Sequence, residues 1–153
     1  MVNNKKEALE IVKYSKYPPL GSRGAGFGFA HNKYKQENPI DIMDHANKTL
    51  INIIQIENES GLENVEEIAK IDDVDCLWVG HFDLSNFLGV PGQFDSKLYL
   101  DAIKKIVKVG EKYQKSLGIM VSTKQEMDFY SDLGFNVIAV GTEMKLLTDK
   151  ISN

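Results

Sequence analysis

Apolar residues along the chain fall into two alternating patterns, short unbroken runs and longer stretches in which they recur every three or four positions. The runs are Leu50-Ile51-Asn52-Ile53-Ile54 with its continuation to Glu57, Cys76-Leu77-Trp78-Val79, Leu117 to Val121, and Asn136 to Val140. Each is short and rich in β-branched or aromatic residues, which predicts strands. The periodic stretches predict helices. Lys5 to Tyr17 carries Ala8, Leu9, Ile11, Val12 and Tyr14, and ends at Pro18-Pro19, where the second ring bars the first from helical geometry. Pro39 to Lys48 opens on a proline suited to a first turn. Leu62, Val65, Ile68 and Ala69 form one face of a helix for which Ser60 and Glu63 have the spacing of a capping box. Lys97 to Lys115 is a long amphipathic helix. Ser122 or Thr123 caps a helix bearing Met127, Phe129, Tyr130 and Leu133 that stops at Gly134, and Met144 to Ile151 is a short final one.

Strand and helix alternate from Leu50 onward, which predicts an α/β fold with a parallel sheet and right-handed crossovers. Ligand sites in such sheets lie at the carboxyl ends of the strands. Glu57, Asp83, Ser122 and Gly141 belong to that rim. Gln55 points the same way as Glu57, two residues earlier on one strand. Two carboxylates on one rim suit a hard divalent cation that takes oxygen ligands and keeps positions open for substrate. Spacing alone equally describes two solvated acids capping the helices that follow, and by itself favours that plainer reading.

Other features carry less. Four glycines between Gly21 and Gly28 mark irregular backbone, but no strand leads in and no Gly-Lys-Ser/Thr ending follows, so a nucleotide loop is set aside. Arg23 is an anion-binding group or a structural partner, with spacing favouring the second. Phe29 to Asn38 reads as a long loop. Asp72, Asp73 and Asp75 lack the Gly and closing Glu of an EF-hand and read as a turn. Leu84 to Phe94 reads as a structured loop with a helical start.

Composition narrows the class. The 153 residues suffice for one domain, taken as 1–153, with a real core. A net charge of −4 and scattered basic residues give no footprint for nucleic acid or a membrane surface. No apolar run has the length of a membrane span, and no signal-peptide pattern opens the chain. The single Cys76, in an apolar strand, reads as a buried thiol and fits a reducing cytoplasm.

The stretches Tyr17-Pro18-Pro19-Leu20-Gly21-Ser22-Arg23-Gly24, Gln55-Ile56-Glu57, Gly80-His81-Phe82-Asp83-Leu84-Ser85, Leu88 to Phe94 and Ala139 to Glu143 resemble the HpcH/HpaI aldolase family of the pyruvate/phosphoenolpyruvate-binding superfamily. The resemblance spans essentially the whole chain. It implies a (β/α)₈ TIM barrel and a metal-dependent class II aldolase. Such an enzyme cleaves 4-hydroxy-2-oxoacids to pyruvate and an aldehyde through a metal-stabilised pyruvate enolate. By resemblance Glu57 and Asp83 are the metal ligands, for Mg²⁺, Mn²⁺ or Co²⁺. Gln55 touches pyruvate or a metal-bound water, and the backbone N–H groups around Phe82 and Asp83 hold the pyruvate carboxylate.

A full barrel of this kind has eight strands and about 250 residues. Here four strands are clear, five if Met1-Val2 is the tail of one, so the resemblance implies a partial barrel lacking its N-terminal strands. With them go the family's catalytic arginine and the early-loop histidine and acid that handle protons; Arg23 belongs to another motif and does not replace the arginine. Position 81 is His where many members have Pro. Two readings follow: the metal-binding part of a working aldolase, or a catalytically incompetent remnant that binds metal and needs a partner for the missing half. Either way the chain is expected to form a homo-oligomer or to take a partner chain that completes the barrel. A lyase acting on phosphoenolpyruvate or oxaloacetate is a third, weaker alternative.

Overall fold

A computed structural model describes residues 1–151. The first helix, α1 (Lys5–Ser15), is capped by Asn4, whose side chain accepts from the Glu7 N–H at 3.0 Å. It buries Ala8 and Val12, one turn apart. A long connection with one 3₁₀ turn, Ala30–Asn32, leads to α2 (Pro39–Thr49), with Asn38 as its cap and Pro39 in its first turn. Asn47 of α2 braces the chain after α1. Its amide accepts from Tyr17 N–H at 2.7 Å and donates to Tyr17 C=O at 3.1 Å, while Lys16 Nζ donates to the Asn47 carbonyl at 2.7 Å.

The remaining elements alternate: β1 (Ile53–Ile56), α3 (Glu59–Glu63), α4 (Val65–Ala69), β2 (Cys76–Val79), α5 (His81–Phe87), α6 (Lys97–Tyr113), β3 (Ser116–Val121), α7 (Lys124–Asp132), β4 (Val137–Val140) and α8 (Glu143–Ile151). The strands form one parallel sheet in the order β1-β2-β3-β4, so each pairs with the next in sequence. Register places Ile54 with Leu77 and Leu117, and Ile56 with Val79 and Ile119. These rows are buried on the sheet face that the helices cover, with Tyr99, Ile103 and Ile106 of α6 and Val65 and Ile68 of α4 in the same core. Residues in between belong to the opposite face. There Gln55, Trp78 and Gly118 share a row, and Ile53 and Met120 are exposed.

Three local expectations are corrected. The first strand begins at Ile53 instead of Leu50, because α2 runs on to Thr49 and Asn52 is drawn into the Asp75 turn, its N–H donating to Asp75 Oδ2 at 2.7 Å. The Ser60–Glu63 capping box does not form. Asn58, directly after the strand, caps the helix by accepting from Gly61 N–H at 2.7 Å, and Ser60 bonds the Asn3 carbonyl instead. Thr123 is the cap of α7, in a full capping box with Glu126. Met1 and Val2 form no strand.

Candidate active site

Ile56 and Val79 are paired at the ends of β1 and β2, so the residues that follow, Glu57 and Gly80, lie side by side. Gly80 N–H donates to the Ile56 carbonyl at 3.1 Å. Glu57 is only 7% exposed. Gln55, two residues back on the same face, donates its side-chain N–H to Glu57 Oε2. The Met1 ammonium lies 3.1 Å from Oε1. Gly80 provides the room: a Cβ there would stand 2.7 Å from Glu57 Cβ, 2.8 Å from Oε2 and 2.9 Å from Gln55 Nε2. A glycine at this position lets the buried carboxylate sit directly against the neighbouring strand end.

Asp83 is in the first turn of α5, which begins just past Gly80, and is exposed. No side chain caps α5, so its first amides are among the orphan donors of a helix start. Phe82 is exposed, and its ring meets His81 at 4.6 Å and Phe94 at 5.1 Å between centroids. Burial holds His81 below its ordinary pKa, with Glu126 opposing. The loop that carries Phe94 is tied down by buried Ser85, whose hydroxyl donates to the Phe82 carbonyl at 2.8 Å and accepts from Gly92 N–H at 2.9 Å.

The two candidate acids therefore stand on adjacent strand-end segments, one buried and one open to solvent. Among the described residues no group of three or more His, Cys, Asp and Glu side chains gathers anywhere. Any cation here would take two protein carboxylates and fill its shell with water or substrate oxygens, as Mg²⁺ and Mn²⁺ sites do. The buried carboxylate, already oriented by the Gln55 amide, is chemically suited to that role.

The other rim residues do different work. Ser122 N–H donates to Glu126 Oε2 at 2.7 Å as part of the α7 cap. Gly141 takes φ +63° and its N–H donates to the Val121 carbonyl at 2.7 Å. Arg23 lies over the Tyr17 ring at 4.7 Å, a cation–π contact. It also lines a separate cleft of about 530 Å³ with His31 and His45. The Asp72–Asp75 segment is a turn braced by Lys16, 3.2 Å from Asp73 Oδ1. Burial, helped by Asp75, pushes the Cys76 thiol up to about 11, so it is protonated and unreactive at neutral pH. Sequence reasoning missed Asn47, Phe94 and the bonded hydroxyls of Tyr99 and Tyr130, 2.9 Å apart. Asn47 and the two tyrosines act through contacts about thirty positions away, for which no local pattern exists.

The HpcH/HpaI aldolase/citrate lyase family model matches residues 1–149. The chain is 33% identical over 147 residues to the hydroxypyruvate/pyruvate aldolase of Delftia acidovorans, covering 96% of this chain and 54% of that protein. It is 31% identical to a 4-hydroxy-2-oxo-heptane-1,7-dioate aldolase of Escherichia coli, covering 96% and 56%. The chain thus spans about half the length of the curated relatives it matches. Among solved structures, an HpcH/HpaI aldolase from Desulfitobacterium hafniense superposes with a TM-score of 0.90 at 24% identity, over 99% of this chain and 58% of that one. A family protein from Burkholderia cenocepacia gives 0.91, over 99% and 60%. A parallel four-stranded sheet with helices on one face, matching just over half of these folds, is part of a TIM-type barrel. The chain belongs to the HpcH/HpaI aldolase/citrate lyase family.

Proposed function

We propose that this chain supplies the metal-binding part of a class II aldolase that cleaves 4-hydroxy-2-oxoacids to pyruvate and an aldehyde. The observation that carries the reading is the arrangement of Glu57: a buried carboxylate, bonded by Gln55, set over Gly80 at the strand end that leads to Asp83. Glu57 and Asp83 would hold one Mg²⁺, Mn²⁺ or Co²⁺. The cation supplies Lewis-acid stabilisation of the negative charge that develops on the 2-oxo group. Gln55 fixes the direction of the Glu57 carboxylate and faces the substrate side of the sheet. The uncapped amides of Phe82 and Asp83 at the start of α5 are donors for the pyruvate carboxylate. The buried, protonated Cys76 takes no part and fits a reducing cytoplasm.

The exposed positions on the inner face of the sheet favour a second element of the reading. Ile53 and Met120 are exposed where a barrel would have its interior, and neither strand end contributes an arginine. The site would therefore work in an assembly in which further strands, from a longer chain, a partner or another copy, cover that face and bring a base for the methyl proton and a cationic group for the enolate oxygen. Absent that supply, the chain binds metal without turning over.

Enolisation is common to aldolases whatever the aldehyde, so the test is deuterium exchange at the pyruvate methyl group, followed by NMR with Mn²⁺ or Mg²⁺. Exchange that disappears with chelator and in Glu57→Gln is the expected result for an assembled site. Exchange that persists without metal or with Glu57 replaced would overturn the assignment.

A further inference from the structure

A cleft of about 450 Å³ opens between the 81–95 segment, the end of β3 and α7, a size that suits a small molecule. Gln55, Glu57 and Asp83 are not in its lining, so it stands apart from the candidate metal site. Phe82, Phe94, Phe129 and Tyr130 supply aromatic walls. Phe82 meets Phe94 with 79° between ring planes, and Phe129 meets Tyr130 with 77°. In such edge-to-face pairs neither ring lies flat over the other, and both Phe82 and Phe129 are exposed. The hydroxyls of Tyr99 and Tyr130 bond each other at 2.9 Å, so Tyr130 needs no polar ligand. The formally charged groups of the lining are both acids, Asp95 and Glu126. Neither is in an ion pair among the described residues. The amides of Ser122 and Thr123, at 2.7 and 3.1 Å, fix Glu126 Oε2 without neutralising the carboxylate. Among the described residues no lysine or arginine lines the cleft. His81 does, and burial holds its imidazole below the ordinary 6.5, with Glu126 opposing.

We propose that this cleft binds a small organic ammonium ion, a cationic head carried on an apolar or aromatic body. Charge complementarity selects the occupant. A cation near aromatic rings is drawn to their faces by the ring quadrupole, more strongly as it loses water. The Asp95 and Glu126 carboxylates add an attraction of the same sense. The body buries apolar surface against Leu100 and Met120, which also line the cleft. A neutral molecule of the same shape keeps only that last contribution. An anion would lose water between two acids and gain no countercharge. The proposal uses no residue of the candidate metal site and does not depend on the aldolase reading.

Three probes with one body and three charges test it: 3-phenylpropylamine, 3-phenylpropanol and 3-phenylpropionate. Each is titrated into the isotope-labelled chain at about pH 8, where an alkylamine is charged and imidazole is not. Resonances of Phe129 and Tyr130 report the cleft. The amine is expected to bind about tenfold more tightly than the alcohol, and the carboxylate more weakly than either. Asp95→Asn, at an exposed position, is expected to weaken the amine about threefold and leave the alcohol unchanged. Glu126→Gln keeps an oxygen for the two amides and is expected to act in the same direction. Equal binding of amine and alcohol, tightest binding of the carboxylate, no binding of the amine, or shifts confined to other surfaces would overturn the proposal. So would an Asp95→Asn variant that holds the amine as tightly as the unmodified chain. Nα-acetyl-lysine methylamide presents the same head on a peptide backbone. Tighter binding of that probe than of 3-phenylpropylamine would overturn the free amine as occupant in favour of a side chain from another protein.

Discussion

Gly80 matters because of what a methyl group there would strike. Glu57 Cβ, 2.7 Å from that position, is fixed to the backbone and cannot rotate away. An alanine would therefore separate two strand ends that are hydrogen-bonded through Gly80 N–H. Overpacking of this kind costs on the order of 1–3 kcal/mol. The site bears the displacement, so Gly80→Ala is expected to weaken Mn²⁺ affinity about tenfold or more in calorimetric titration; unchanged affinity would show that Glu57 does not depend on the cradle. Gly118 on the inner face is also closely packed, since a Cβ would meet the Trp78 ring at 2.4 Å. At this scale the sequence was half legible. Glu57, Asp83 and Gln55 stood out by motif and strand-end position. The burial of one acid and exposure of the other did not, because strand-end spacing is identical for a solvated carboxylate and an enclosed one.

Among the elements, α4 and α6 are linked by a surface cluster as well as by the core. Glu66 Oε1 accepts from Lys112 Nζ at 2.6 Å and from the Tyr113 hydroxyl at 2.8 Å. These contacts, Lys112 first and then Tyr113, lower the Glu66 pKa from 4.5 to about 2. A carboxyl with a depressed folded-state value adds stability that is full above its ordinary value and disappears as pH falls through the folded one. Glu66→Gln is therefore expected to melt earlier than the unmodified chain near neutral pH. The gap should close between pH 4.5 and about 2; a gap that stays constant over that range in thermal denaturation would contradict the assignment. The order and type of the strands and of the longer helices followed from periodicity, whereas α5, read as a loop with a helical start, and the division of the helix after β1 into α3 and α4 did not. Boundaries failed where a side chain at a strand end had a stronger local option. Asn58 displaced Ser60 as cap because it sits at the turn itself, where its amide also donates to Asn3 Oδ1 at 2.7 Å. The Phe94 loop, read as structured, owes its position to Ser85, which no turn signal identifies.

For the whole molecule the decisive feature is surface. A folded monomer of 17.2 kDa typically exposes about 7,800 Å², whereas this chain exposes 9661 Å². The excess includes the inner sheet face, and β1 and β4 each have one unpaired edge. Such edges and faces seek partners. Light scattering at micromolar concentration is expected to give a mass above 17.2 kDa; a sharp monomer peak with cooperative melting would contradict this. The barrel class was legible through the family motifs, and the incomplete strand count through simple enumeration of apolar runs. The aromatic cleft was not, since its walls come from α5, α6 and α7 and meet only in the folded chain. The central claim is that Glu57 and Asp83 together hold a cation on which pyruvate binds. Its most direct test is the paramagnetic relaxation of the pyruvate methyl protons by Mn²⁺ bound to the chain. Strong enhancement in the unmodified chain, abolished in Glu57→Gln/Asp83→Asn, is the predicted result. Enhancement of equal size in the double variant, or none in a chain that binds Mn²⁺, would contradict it.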